Sequence, residues 1–216
     1  MSGGFAAQRD RMVDRQIAER GVRDPLVLDA MRRVPREAFV PERERTEAYR
    51  DHPLPIAGGQ TISQPYVVAL MVEALGLGGG EKVLEVGAGS GYAAAVVAEI
   101  ADEVFAIERI GELAVAARAN LADQGYANAH VIHADGTKGL PEEAPFDAIL
   151  VSARTPTAPA PLLEQLAPGG RMVVPVGLGV AAQSLMRITR VSEDDYRADD
   201  LGEVWFVPLI GEEESR

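Results

Sequence analysis

From Lys82 onward, short apolar runs alternate with longer, helix-like stretches. The runs predict strands at Lys82 to Val86, Glu103 to Ile107, His130 to His133, Asp147 to Ser152 and Arg171 to Val176. Between them lie predicted helices at Tyr92 to Ile100, Glu112 to Gln124 and Pro161 to Leu166. Runs such as Ala148-Ile149-Leu150-Val151 are apolar on both faces, the mark of a parallel sheet covered by helices. After Gln183 the alternation stops. Ser184 to Val191 and Glu203 to Leu209 predict two further strands, joined by an acidic connection from Glu193-Asp194-Asp195 onward that reads as a solvated hairpin loop. Ahead of the sheet, Arg9 to about Arg50 is charged and helix-like. Asp24 followed by Pro25 marks an N-cap and first helical residue, opening a helix through Arg33. Pro35, Pro41, Pro53 and Pro55 then impose short helices and extended connections. The expected architecture is α/β in a single domain. Residues 1–80 form a helical cap, 81–191 a mostly parallel core, and 192–216 the closing strand of an antiparallel hairpin with its tail.

Composition narrows this picture. The 216 residues are 47% hydrophobic and 25% charged, a balance that supports a full core and argues against disorder. With 21 basic and 33 acidic side chains the formal charge is −12, which weighs against nucleic acid as a partner. Cysteine is absent, so disulfides and thiolate metal sites are excluded. The longest apolar stretches, Val67 to Leu77 and Met172 to Ala182, are interrupted by Glu73 and by Pro175, Gly177 and Gly179, and are too short to span a bilayer. No signal peptide is recognisable, and a cytoplasmic protein is the expectation.

The chemistry concentrates at Glu85-Val86-Gly87-Ala88-Gly89-Ser90-Gly91-Tyr92, where the first strand of the sheet turns into its first helix. An open parallel sheet holds its ligand at such a turn. A dinucleotide fingerprint would place glycines at positions 87, 89 and 92, but residue 92 is Tyr and the third glycine falls at 91. That spacing disfavours a nicotinamide oxidoreductase. Glu85 would repel a pyrophosphate, and suits a ligand carrying a positive group and an amino acid moiety. Glu108 closes the second strand about twenty residues on, where a carboxylate accepts both ribose hydroxyls. Asp135-Gly136, after the third strand, completes the set by accepting from an adenine amino group. Each feature alone has a plain reading as a turn or a solvated strand end; together they resemble the Rossmann-like methyltransferases that use S-adenosylmethionine.

A second signature precedes the first strand: Pro55-Ile56, then Gln60-Thr61-Ile62-Ser63-Gln64-Pro65-Tyr66. Taken locally, Ser63 caps the apolar helix Tyr66 to Leu75, whose first amides are suited to an anion. The Thr-Ile-Ser segment with Pro two residues later resembles the marker of the protein-L-isoaspartate O-methyltransferase family. Further resemblance lies at Val83 to Tyr92, Gly125-Tyr126-Ala127-Asn128, Ala134-Asp135-Gly136, Pro145 to Ile149, Leu162 to Gly177 and Val207-Pro208-Leu209-Ile210-Gly211. It implies that Ser63 is the active-site serine beside the acceptor carboxylate, and that Glu85, Gly87, Ala88, Gly89, Ser90 and Gly91 hold the methionine portion of S-adenosylmethionine. By the same resemblance, Glu108 serves the ribose and Asp135 the adenine, with Arg109 and Gly136 beside them. Ile56, Thr61, Val207 and Leu209 would line the peptide groove. Departures from the family pattern are Ala57, Ala93 and Ser152-Ala153-Arg154, the last placing a long cation near the acceptor mouth.

The implied acceptor is the α-carboxylate of an isoaspartyl (or D-aspartyl) residue in damaged proteins and peptides. With a pKa of about 3 to 4 it is ionised at neutral pH, so no general base is required. His130 and His133 face opposite sides of one strand, which argues against a shared metal. Anion and sulfonium cation combine into two neutral products, a reaction that exclusion of water favours. The resemblance implies that the ester then collapses to a succinimide off the enzyme; a monomer acting without nucleic acid or membrane is the accompanying expectation. Two rivals stay open: a methyltransferase for another carboxylate or hydroxyl acceptor, and a non-catalytic nucleotide-binding adaptor.

Overall fold

The computed structural model describes residues 3–178 and 182–211. Its N-terminal helix α1 (Gly3–Met12) runs on through a π turn at Val13–Ile17 and a 3-10 turn at Ala18–Arg20, and Gly21 ends it at φ +111°. Asp24 caps α2 (Pro25–Arg33) by accepting from the Leu26 amide at 2.8 Å, and Val27, Ala30 and Met31 form its buried face. Pro35 and Pro41 restrict the chain at Arg36–Phe39 and Glu42–Glu47 to 3-10 turns. A two-residue ladder, β1 (Leu54–Pro55) against β2 (Thr61–Ile62), presents the acceptor segment and leads into α3 (Pro65–Leu75).

The sheet contains β3 (Lys82–Val86), β4 (Glu103–Glu108), β5 (Ala129–His133), β6 (Phe146–Val151), β7 (Leu166–Val176), β8 (Gln183–Arg190) and β9 (Tyr196–Val204). Their spatial order is β5-β4-β3-β6-β7-β8-β9, the first five parallel and the last two antiparallel. Helices α4 (Tyr92–Ala98), α5 (Gly111–Asp123) and α6 (Ala160–Glu164) complete the chain. Side chains of alternate strand residues feed two cores. Val83, Val104, Ala106, Ala148 and Leu150 join the helices of the cap, while Leu84, Val86, Phe105, Ile107 and Ile149 meet α6 and its flanks. Among the described residues no helix is long and apolar enough to cross a membrane.

Three boundaries differ from the expectation by more than two residues. Leu166 pairs with Phe146, so β7 starts five residues early, runs through Pro168-Gly169-Gly170 beside a bulge, and shortens α6. The acidic connection is strand rather than loop from Tyr196 on, because its charges face solvent on the sheet edge and Asp199 pairs with Arg187 on β8 at 2.9 Å. The predicted strand Glu203 to Leu209 correspondingly ends at Val204. Val207 to Leu209 instead runs beside Arg154 in a single parallel bridge, with Arg154 N donating to Val207 O and Leu209 N to Arg154 O, both at 2.8 Å. The acidic residues 212–214 lie outside the described residues.

Candidate active site

Strand β3 has β4 on one side and β6 on the other, so the carboxyl ends of these three strands frame the crevice at the topological switch point. The turn after β3 is closed by two amides, Gly87 N and Ala88 N, which both donate to Ile107 O at 2.8 and 3.0 Å. Gly87 and Gly89 take positive φ (+93° and +56°), a conformation that side chains resist. Glu108 clamps the same turn. One of its carboxylate oxygens accepts from Gly89 N and the other from Ile110 N, each at 2.8 Å.

Three cavities meet here. The first, about 450 Å³ together with the open space at its mouth, is lined by Ser63, Glu85, Ala88, Ser90 and Tyr92. A second, about 660 Å³, is lined by Glu108, Arg109, Gly136, Val207 and Leu209. The third is a larger groove of about 1240 Å³ between α3 and the segment after β9, with Ser63 and Val207 in its wall. Thr61 and Ser152 line all three, and Gly87 and Gly89 line the first two.

The first cavity is electrostatically unsatisfied. Glu85 is buried; one oxygen accepts from Ser152 Oγ at 3.0 Å, and the other has no hydrogen-bond partner among the described residues. Burial pushes its carboxyl up to about 8, the Ser152 hydrogen bond opposes this, and the Glu108 charge adds to it. Ser90 Oγ is likewise buried, with no hydrogen-bond partner among the described residues. Two orphaned polar atoms in one cavity suit a ligand that brings a cation and hydrogen-bonding groups.

On the acceptor side, Ser63 does not cap α3. The N-cap is Gln64, with no side-chain hydrogen bond of its own to the helix, and the Tyr66 amide faces Asp51 Oδ1 at 3.4 Å. The helix start is thus supplied with a carboxylate by the chain itself. Gln64 Nε2 also reaches Asp51 Oδ2 at 2.7 Å. The hydroxyl of Ser63 is left to the cavities, while its carbonyl accepts from Arg36 Nη2 at 2.8 Å. Arg36 is fully buried, donates through Nε to Ala48 O at 2.8 Å, and lies 4.8 Å from the centre of the Tyr92 ring. Sequence reasoning missed Arg36 and Ser152. An arginine between Pro35 and Pro41 is invisible as a core residue, and the emphasis on Arg154 hid the serine two positions earlier.

The surroundings of several expected site residues are as follows. Ile56 lines none of the three cavities; it is buried behind the turn, where a Cβ on Gly89 would lie 3.5 Å from its Cδ1. Gly91 serves packing, since a Cβ there would come within 3.2 Å of Leu121 Cγ on α5. Leu209 lines the second cavity rather than the groove. Gly136 lines the second cavity, whereas Asp135 caps a 3-10 turn through Oδ1, which accepts from Thr137 N at 2.9 Å. The Arg154 side chain lines none of the three cavities, and the residue contributes its backbone.

This crevice, with a glycine turn, two strand-end carboxylates and a Thr-Ile-Ser segment at its mouth, matches a known family over nearly the whole chain. A model of the protein-L-isoaspartate(D-aspartate) O-methyltransferase family matches residues 7–214. The chain belongs to this family. It is 63% identical over 97% of its length, and 85% of the relative's, to protein-L-isoaspartate O-methyltransferase 1 of Rhodopseudomonas palustris strain HaA2. To protein-L-isoaspartate O-methyltransferase 2 of Marinobacter nauticus it is 59% identical, over 95% of this chain and 94% of that one. The fold is similar, with a TM-score of 0.80 and 27% identity over 94% of this chain and 98% of the other, to a Plasmodium falciparum protein described as a protein-L-isoaspartate O-methyltransferase beta-aspartate methyltransferase. That protein was crystallised in complex with S-adenosyl-L-homocysteine. For an isoaspartate methyltransferase, the Thr61 to Pro65 segment lies at the junction of all three cavities, with Thr61 itself in the wall of each.

Proposed function

We propose that the chain moves the methyl group of S-adenosylmethionine to the free α-carboxylate of L-isoaspartyl, and D-aspartyl, residues in damaged proteins and peptides. The observation that carries this reading is the neck formed by Thr61, Ser63 and Ser152, where a cavity with orphaned polar atoms opens into a larger groove. When bound, S-adenosylmethionine supplies an electrophilic methyl group; the residues supply binding, orientation and dryness. Glu85 and Ser90 take the amino acid end, Glu108 and Arg109 the ribose, and Gly136 borders the base with Asp135 behind it. Ser63 holds one oxygen of the acceptor carboxylate by a hydrogen bond, leaving the other directed at the neck. Thr61 and Val207 form the walls of that passage.

The net charge of −12 supports a set of partners without nucleic acid, and we take the protein to act in the cytoplasm as a monomer. The division into a cap over 1–80 and a cofactor core over 81–191 is part of the same proposal.

The deciding assay is transfer of labelled methyl to an isoaspartyl peptide, compared with the same peptide containing ordinary aspartate. Labelling of the first alone is expected. Labelling of neither, with S-adenosylhomocysteine still binding, would favour another acceptor or an adaptor. Ser63→Ala is expected to lower kcat by about ten- to a hundredfold with little change in cofactor affinity, because it removes one orienting hydrogen bond. Unchanged kcat would remove the serine from the mechanism.

Glu85 gives a pH signature. Its carboxyl is raised from 4.5 to about 8 in the ligand-free protein, so it carries a proton at pH 7 and must lose it to pair with an ammonium group. The folded state therefore binds more protons than the unfolded state between those values, and the contribution of this group to ligand-free stability falls as pH rises through that window. The thermal shift caused by S-adenosylhomocysteine should grow from pH 6 to pH 8. Glu85→Gln should flatten that dependence, and a flat profile in the unsubstituted protein would refute the pairing.

A further inference from the structure

The groove holds the chain's one tryptophan in an unusual setting. Trp205 is 69% exposed, yet it lies on backbone that is tied down on both sides. Val204 before it is buried, the Phe206 amide after it donates to Oε1 of buried Gln183 at 2.7 Å, and the Val207 carbonyl is held by Arg154 N. A large indole kept in water on an anchored segment is a marker of a binding surface, since tryptophan is among the residue types most enriched at interaction hot spots.

What faces Trp205 across the groove sets the chemistry of its partner. The opposite wall is Tyr66, Val67 and Leu70 of α3. Arg20 is also present, but its charge is already engaged: its guanidinium stacks 3.5 Å above the Tyr66 ring and its Nη1 reaches Asp51 Oδ2 at 2.5 Å. Glu203, on the tryptophan side, repels acidic groups. The groove therefore offers apolar and aromatic surface, and Arg20, the cation in its wall, is committed elsewhere. It is continuous with the neck through Thr61, Ser63 and Ser152, so a chain whose isoaspartyl carboxylate stands at Ser63 must lay an adjacent residue along it.

We infer that Trp205 is a specificity-determining residue that receives an aliphatic or aromatic side chain next to the isoaspartyl residue of the acceptor. The inference rests on the methyltransferase reading above and adds to it which acceptors are favoured. It requires no new chemical step, only burial of one apolar side chain against the indole and the α3 wall.

The test uses the full chain and a set of isoaspartyl peptides that carry Leu, Phe, Gly, Lys or Glu in turn on each side of the isoaspartate. Leu or Phe on one side is expected to give a kcat/KM about tenfold above Gly, carried by KM, as partial burial of such a side chain implies. Trp205→Ala should bring these peptides within about twofold of each other while leaving S-adenosylhomocysteine affinity and the Gly-flanked rate unchanged. Trp205→Phe should retain most of the preference. Because the protein has a single tryptophan, its fluorescence reports on this position alone. Titrating the Leu-flanked peptide in the presence of S-adenosylhomocysteine should change the emission saturably. Flank-independent KM values with unchanged emission would overturn the inference and leave the methyltransferase reading standing. Preference for Lys over Leu would also overturn it, making Glu203 the selecting group. Absence of methylation with every peptide would sink both readings.

Discussion

Glu108→Ala is expected to raise the dissociation constants of S-adenosylmethionine and S-adenosylhomocysteine by about a hundredfold or more. Both carboxylate oxygens already accept one backbone amide each, from Gly89 and Ile110 at 2.8 Å. A carboxylate has about four lone-pair sites, so two remain for a pair of ribose hydroxyls. Hydrogen bonds to a charged acceptor contribute about 1.5 to 3 kcal/mol each, and a hundredfold change corresponds to about 2.7 kcal/mol. The substitution removes the ribose acceptors and also releases the Gly89 amide that shapes the turn. Isothermal titration with S-adenosylhomocysteine measures the effect. Glu108→Gln, which keeps one carbonyl acceptor, should fall between the two. An affinity within threefold of the unsubstituted protein would reduce Glu108 to a brace for the turn and leave the ribose without its partner.

The second large effect is expected away from the ligands. Arg36→Met should lower stability by about 2 to 4 kcal/mol and reduce turnover as well, because the methionine fills much of the space but leaves the carbonyls of Ala48 and Ser63 without donors, at about 1 to 3 kcal/mol each. Part of that loss is offset, because burial already lowers the arginine's pKa and its Nη1 has no hydrogen-bond partner among the described residues. Arg36→Lys should recover one carbonyl and part of the stability, since a single ammonium cannot reproduce the fork. Denaturant midpoints give the stability change. The kcat at saturating cofactor reports whether Ser63 has lost its placement. A stability within about 0.5 kcal/mol of the starting value, with full turnover, would show that Arg36 is a spectator.

How far the sequence reached depended on whether the determining contact was local. The turn at Gly87 and Gly89 was legible because strand, glycines and helix are contiguous, and the Asp24 cap because its acceptor lies two residues from its donor. Resemblance put Ser63 at the mouth, but its carbonyl is fixed by a residue 27 positions away, which no local pattern encodes. The packing of Ile56 and Gly91 was hidden for a related reason: the neighbours of both sites, Gly89 for Ile56 and Leu121 on α5 for Gly91, lie 33 and 30 positions away in the chain. The acidic stretch misled in the opposite direction: charge was read as a solvated loop, and cross-strand pairing of Asp199 with Arg187 made it a strand.

That edge has a consequence for the company the protein keeps. Its proposed clients are damaged chains, partly unfolded and ready to add themselves to any open row of backbone donors and acceptors. Strand β9 ends the sheet carrying Arg197, Asp199, Asp200 and Glu203. Charges on a sheet edge discourage a foreign strand from pairing there. A repair protein guarded in this way can handle aggregation-prone chains repeatedly without becoming the seed on which they assemble.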